Sequence, residues 1–253
     1  MKIDLTGKIA LVTGGTGELG RVMVRTLANC GAKVAIHYLS NRTKAEELLE
    51  EIQDDGGTAI IVQGDITKEA SILNMKQQID AELGEVDIVV ANAVVQYTWT
   101  SILEQSPKDY QSQFDSCVMQ SVYLAKAFIP AMQAKRSGRF IGINTECSMQ
   151  NFPNQSAYVA GKRGMDGVYR VLAKEVGEFQ ITVNQVAPGW TISEKDRGDD
   201  AGSDEAYLQG VPLKRRGVDQ EIANAVAFLA SDLASFITGA FIPVTGGNVM
   251  PAI

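Results

Sequence analysis

Short apolar runs alternate along this chain with longer helical patterns, and that alternation leaves few folds open. IALVT (9–13), KVAIHY (33–38), TAIIVQ (58–63), VDIVVAN (86–92), RFIGIN (139–144), TVNQVA (182–187) and FIPV (241–244) read as strands, most of them apolar on both faces. Helical patterns separate them: about Leu19 to Ala28, 43–53, a stretch ending near Leu83, about Pro107 to Ala134, and onward from about Ser156. Strands buried on both faces need cover on both sides, and parallel neighbours need crossovers. The series therefore predicts an α/β architecture: a parallel sheet of about seven strands with helices on both faces.

No linker, low-complexity stretch or internal repeat divides the 253 residues, and a hydrophobic content of 45% suffices for one large core. One domain spanning 1–253 is expected. SEKDRGDDAGSDE (193–205) is too charged for a core, and residues 193–216 are expected to form a lid over a substrate. The net charge of −7 and the lack of any long basic run argue against nucleic acid or an anionic membrane as partner. Three cysteines, with no CxxC, fit neither a disulfide framework nor a zinc site, and suit a reducing cytoplasm. The opening MKIDLTGKIALVTGG lacks the apolar run of a signal peptide, and no stretch nears the roughly 18–20 apolar residues of a membrane span. His37 is the only histidine, which nearly excludes His-based triads and polyhistidine metal sites; no metal is expected, and His37 reads as structural.

The first expected strand runs into TGGTGELG, in which Gly15, Gly17 and Gly20 satisfy GxGxxG between a strand and a helix. Glycines there permit a tight turn, with Gly14 beside them, and let backbone N–H groups approach a pyrophosphate at the helix N-terminus. The turn thus points to a dinucleotide and a Rossmann-type, doubly wound sheet; the plain alternative is a tight turn. Glu18 stands among the donors and would repel a pyrophosphate unless turned to solvent. The second strand ends in HYLSNR, without the acidic residue that grips the ribose hydroxyls of NAD. Ser40, Asn41 and Arg42 suit a 2′-phosphate instead, so NADP(H) is preferred over NAD(H). The competing reading has these three merely begin a helix, with Ser40 or Asn41 as its cap.

Tyr158 and Lys162 lie four apart at the opening of a helix, which places phenol and ammonium on one face. Such a pair is either a tuned proton donor or a solvated helix surface. A cation within about 4–6 Å favours the phenolate and brings its pKa from about 10 toward working pH.

Taken in order, the glycine turn, GDI (64–66), VANA (90–93), YVAGK (158–162), VNQVAPG (183–189) and ITGAFIPVTGG (237–247) resemble the short-chain dehydrogenase/reductase family over essentially the whole chain. The likeness includes its 3-oxoacyl-carrier-protein-reductase-like branch. It implies an oxidoreductase that interconverts a carbonyl and an alcohol by hydride transfer, with Tyr158 as general acid/base. Lys162 would bind the nicotinamide ribose and lower the Tyr158 pKa, and Thr145 would hold the substrate carbonyl. Asp65, followed by Ile66, would hold the adenine, and Asn92 would line the adenosine side. Pro188, Gly189, Thr191 and Ser193 would orient the carboxamide. The substrate pocket would draw on Val94, Gln96, Glu146, Cys147, Met149, Phe152 and Trp190. Phe152 and Trp190 equally suit packing, and Glu146 suits either a polyol or a surface cation. The family also implies a homotetramer or dimer.

The chain departs from the family pattern at five positions. Glu18 replaces a glycine, Thr145 the catalytic serine, Cys117 the asparagine of a water relay to the lysine, Val94 a glycine, and Thr245 an aspartate. These departures motivate a second reading, a cofactor-binding protein without redox turnover. The glycine spacing motivates a third, an enzyme that isomerises or dehydrates a sugar while keeping its cofactor bound. A carrier-protein substrate would need a basic dock such as Lys135, Arg136 and Arg139.

Overall fold

The structure is a computed structural model that describes residues 3–194 and 205–251. Its strands are β1 (Ile9–Val12), β2 (Lys33–Tyr38), β3 (Ala59–Gln63), β4 (Ile88–Ala91), β5 (Gly138–Ile143), β6 (Ile181–Pro188) and β7 (Phe241–Val244). They form one parallel sheet in the order β3-β2-β1-β4-β5-β6-β7. Each expected strand is present, with ends moved by no more than two residues. The helices are α1 (Glu18–Asn29), α2 (Arg42–Asp54), α3 (Glu69–Glu82), α4 (Pro107–Gln113), α5 (Gln120–Lys135), α6 (Cys147–Gln150), α7 (Ser156–Val176), α8 (Glu205–Gly210) and α9 (Asp219–Ala230).

Period-two alternation sorts the strand residues between two cores. Ala10, Val12, Val34, Ile36 and Val90 pack with α1, α2 and α9 on one face. Leu11, Ala35, Val89, Phe140 and Val183 pack with α3, α5 and α7 on the other. The doubly wound α/β architecture expected from the apolar runs follows directly from this division.

The long helix expected over 107–134 is interrupted. Between α4 and α5 the backbone widens into a π turn, Phe114–Met119, which contains Cys117. Side chains feed into the helical ladder here: Ser116 Oγ donates to Ser112 O and Ser121 Oγ to Cys117 O, both at 2.7 Å. Such back-bonding competes with backbone pairing and loosens the turn. The order of strands reverses between β1 and β4, so successive crossovers leave in opposite directions and a crevice opens at the C-terminal strand ends. No helix among the described residues is long and apolar enough to cross a membrane.

Candidate active site

The glycine turn is held by residues that reach it from three strands. Gly14 takes a left-handed φ of 63°, and a Cβ at Gly20 would stand only 2.0 Å from Gly14 O. Gly14 N–H donates to His37 Nδ1 at 2.8 Å, which fixes the proton on Nε2, 3.0 Å from Gly64 O. Burial holds the His37 pKa below its ordinary value, in keeping with a neutral ring. The expected structural histidine thus braces the turn. Asn92 Nδ2 donates to Thr13 O and Gly14 O, while Thr13 Oγ1 accepts from the N–H groups of Asn92 and Ala93. Gly15 is buried against Ile36, and Gly17 caps α1 in extended backbone. The bare, close-packed glycines at the start of α1 fit a dinucleotide pyrophosphate. Glu18 does not stand as a naked charge: Arg21 Nη2 pairs with it at 2.5 Å, while Arg21 Nε reaches Glu194 at 2.8 Å.

At the end of β2, Asn41 caps α2 by accepting from Lys44 N–H, and exposed Arg42 pairs with Glu46 one turn on. Ser40 is exposed. Asn41 and Arg42 thus begin the helix, with Ser40 just before them. Asp65 Oδ1 accepts from the Thr67 amide and hydroxyl, and Oδ2 faces Lys68 Nζ at 3.0 Å, so its carboxyl lies below the ordinary range. Ile66 is buried beside it.

Tyr158 and Lys162 project from α7 into a cavity of ≈ 620 Å³ at the strand ends. They are not a solvated pair: Lys162 is 3% exposed, and Nζ donates to Ile143 O at 2.6 Å. Nζ stands 5.7 Å from the Tyr158 ring centroid. The expected lowering of the Tyr158 pKa is absent. Burial pushes that phenol far above its ordinary value, the Cys147 and Cys117 thiols add to the rise, and a hydrogen bond with Thr145 works against it. Burial also lowers the Lys162 pKa. The phenol therefore rests protonated, and the Thr145 hydroxyl, which accepts from Cys147 N–H, lines the same cavity. Gly161, inside the YVAGK stretch, lets α7 approach α4: a Cβ there would stand 2.8 Å from Gln113 O. Cys117 lies on the neighbouring π turn and is 1% exposed.

Val94, Gln96, Glu146, Cys147, Phe152 and Trp190 line the cavity, together with Asn92, Pro188, Gly189, Thr191 and Ser193. Met149 does not. Residues 147–150 wind into the single turn α6, so positions three apart share a face: Cys147 and Gln150 look into the cavity while Met149 turns away. Thr245 is buried at the end of β7 and bonds the Val249 backbone. Sequence reasoning missed Tyr97, Trp99 and Gln155 in the lining. Tyr97 OH accepts from Tyr158 N–H at 2.8 Å, and the Trp99 ring stacks on Tyr158 with centroids 5.6 Å apart. The only forward signal was their aromaticity just past VANA. The expected lid falls partly on residues 195–204, outside the described residues; Ser193 and Tyr207 on either side of that gap line the cavity.

A family profile described as enoyl-(acyl carrier protein) reductase matches residues 16–248. The chain is 38% identical over 249 residues to a 3-oxoacyl-[acyl-carrier-protein] reductase FabG of Escherichia coli K12, covering 98% of this chain and 100% of that one. The same-named protein of Salmonella typhimurium LT2 is 39% identical over the same shares. That of Staphylococcus epidermidis RP62A is 34% identical over 243 residues, covering 96% and 99%. With a tyrosine and lysine four apart beneath a side-chain hydroxyl, a braced glycine turn and likeness along nearly the full length, the chain belongs to the short-chain dehydrogenase/reductase family of nicotinamide-dependent oxidoreductases.

Proposed function

We propose that the protein is an NADP(H)-dependent oxidoreductase that interconverts a carbonyl and its alcohol, with Tyr158 as general acid/base. One observation carries this reading: the Tyr158 phenol, the Thr145 hydroxyl and buried Lys162 line one cavity at the C-terminal strand ends. Two hydroxyls in one cavity suit a carbonyl oxygen that gains charge as its carbon accepts a hydride. When bound, the reduced nicotinamide supplies that hydride. Thr145 donates to the substrate oxygen, and Tyr158 gives it the proton, so the C=O π bond is replaced by new C–H and O–H bonds. Lys162 leaves Ile143 O for the nicotinamide ribose, and its charge then eases proton release from Tyr158. Cys117 stands at the outer end of this proton path.

The 2′-phosphate of NADP(H) is received by Ser40, Asn41 and Arg42. The Arg42–Glu46 pair is solvent-exposed and worth little, so the guanidinium exchanges partners at small cost. Thr16 and Lys44 line a small cavity of ≈ 160 Å³ between α1 and α2, close to the same edge. Asp65 and Asn92 border the adenosine, and Pro188, Gly189, Thr191 and Ser193 the carboxamide.

The family profile and the relatives are named for different bonds, an enoyl double bond and a 3-oxo group. The paired hydroxyls favour the oxo group. Lys135, Arg136 and Arg139, a conceivable carrier dock, are engaged by Glu85 and Asp87, by Glu178 O and by Asp232 respectively. They also sit at the N-terminal end of the six-residue β5, about 20 Å from the site, so the substrate enters without docking there. Ser193 and Tyr207 line the cavity, which supports a substrate-side role for their segment in a one-domain enzyme. Exposed Phe114 and Val171 on one face, and Phe236 and Met250 near the C-terminal strand, suit a homo-oligomer. Three free thiols suit a reducing cytoplasm. The test is NADPH consumption, followed by nicotinamide absorbance, with a 3-oxoacyl thioester, a 2-enoyl thioester and simple ketones. Reduction of the oxo compounds and not of the enoyl thioester is expected; reduction of the enoyl thioester alone would overturn the carbonyl reading.

A further inference from the structure

Glu146, one residue beyond Thr145, is a buried carboxylate whose contacts come from distant parts of the chain. It is 3% exposed, and among the described residues its hydrogen-bond partners are all neutral. Tyr207 OH donates to Oε1 at 2.9 Å, and Trp190 N–H to the same oxygen at 3.2 Å. Asn248 Nδ2 donates to Oε2 at 3.1 Å. Trp190 N–H is shared with Tyr207 OH at 2.9 Å. These donors lie on the turn after β6, on α8 and on the turn after β7, while Glu146 itself follows β5. One side chain thus ties together four segments at the C-terminal ends of three neighbouring strands.

The surroundings are built for this junction. A Cβ on Gly189 would stand 2.9 Å from Tyr207 OH and 3.1 Å from Glu146 Oε2, so glycine is what lets the β6 turn close on the carboxylate. Trp190 meets Tyr207 edge to face, with centroids 5.3 Å apart. On its other side, Arg216 lies 4.2 Å from the Trp190 ring centroid and donates to Trp190 O and Thr191 O. Trp190, Tyr207 and Glu146 all line the cavity. A buried carboxylate without a cation is costly unless several donors satisfy it. Here those donors are the groups that shape the substrate-side wall.

Resting on the carbonyl–alcohol reading above, we infer that Glu146 is a positioning residue: it clasps α8 and the β7 turn to the Gly189–Thr191 turn and so fixes the Trp190–Tyr207 wall against which substrate and carboxamide are placed. It acts on where the substrate lies and takes no proton from it. A neutral amide of the same shape serves nearly as well, because its oxygen accepts from Tyr207 and Trp190 while the Asn248 amide turns to present its own oxygen. Loss of the side chain, or of the Tyr207 hydroxyl alone, frees the wall.

Glu146→Gln, Glu146→Ala and Tyr207→Phe, with the parent, test this in the full-length protein with NADPH bound. KM and kcat are measured for the best carbonyl substrate, and Trp190 emission is read in a Trp99→Phe background. Glu146→Ala should raise KM about tenfold or more with kcat changed less than about threefold, the equivalent of roughly one lost clasp at 1.4 kcal/mol per decade. Tyr207→Phe, which keeps the ring, should raise KM several-fold. Glu146→Gln should stay within about threefold of the parent. Trp190 emission should shift to the red in Glu146→Ala and return in Glu146→Gln. Equal damage in Glu146→Gln and Glu146→Ala would show that the charge itself acts and would overturn the inference. So would a loss confined to kcat, or unchanged KM and emission in both Glu146→Ala and Tyr207→Phe. The emission needs no substrate, so the clasp stands or falls on it even if the parent turns over no carbonyl, a result that would instead strike the underlying functional reading.

Discussion

Gly20→Ala is the substitution whose effect follows most directly from the structure. A Cβ at Gly20 would lie 2.0 Å from Gly14 O, 2.9 Å from Gly14 C and 3.0 Å from Gly15 Cα, all backbone atoms. A carbon and a carbonyl oxygen rest at about 3.3 Å, so the Gly14 carbonyl must retreat by more than about 1 Å. It is poorly placed to do so. Gly14 O accepts from Gly17 N–H at 3.0 Å and from Asn92 Nδ2 at 3.2 Å, and Gly14 N–H is tied to His37 at 2.8 Å. Overpacking of this kind costs about 1–3 kcal/mol, and one lost hydrogen bond about 1 kcal/mol more. If the turn yields, about 2–4 kcal/mol appears as lost cofactor affinity, or roughly 30- to 700-fold at 1.4 kcal/mol per decade. The assay is NADPH titration by energy transfer from Trp99 and Trp190, with circular dichroism and thermal unfolding to confirm the fold. Gly167→Ala is the control, because a Cβ there meets nothing within 4 Å on α7. NADPH binding by Gly20→Ala within about threefold of the parent, at parental stability, would refute this account of the turn.

Further predictions concern the brace, the carbonyl hydroxyl and the relay. His37 has its folded pKa lowered below the ordinary 6.5, so its contribution to stability is present above about pH 6.5 and is lost as pH falls below it, where the unfolded chain binds the extra proton. Melting temperature and NADPH affinity should therefore decline together on acidification, and His37→Gln should flatten the decline. Thr145→Ser keeps the hydroxyl and should hold kcat/KM within about threefold, whereas Thr145→Val should lose about 10²–10³; a valine variant as active as serine would remove Thr145 from the mechanism. Cys117→Asn removes a thiol that raises the Tyr158 pKa and restores an amide to the proton path, so kcat should rise by about two- to tenfold. The same change buries an amide in the α5–α7 core and should lower the melting temperature. An unchanged kcat would place Cys117 outside the path.

The sheet was legible because each strand is buried on both faces and so reads as an unbroken apolar run, with period-two sorting hidden inside it. Tyr158 and Lys162 were legible as a pair because four-residue spacing places them one turn apart on α7, whereas Thr145, just after β5, was reached only through the family resemblance. The direction of the Tyr158 pKa shift was not legible, since burial of the phenol dominates it and Lys162 Nζ is held by the Ile143 carbonyl. The π turn escaped notice because hydroxyl back-bonding at Ser116 and Ser121 leaves apolar periodicity intact. Met149 was misplaced because no sequence signal marked the single helical turn at 147–150, which rotates it off the cavity. The partners of Glu146 were invisible for a topological reason: Tyr207 and Asn248 lie 61 and 102 residues away and meet it only because β5, β6 and β7 end side by side.

The central claim is that Tyr158 supplies the proton for carbonyl reduction, and Tyr158→Phe tests it most directly. NADPH affinity and turnover of a confirmed carbonyl substrate would be measured side by side in parent and variant. The account predicts affinity within about threefold of the parent and turnover reduced by about 10²–10⁴, the usual worth of general acid assistance. A phenylalanine variant that binds NADPH and reduces the substrate as fast as the parent would contradict it.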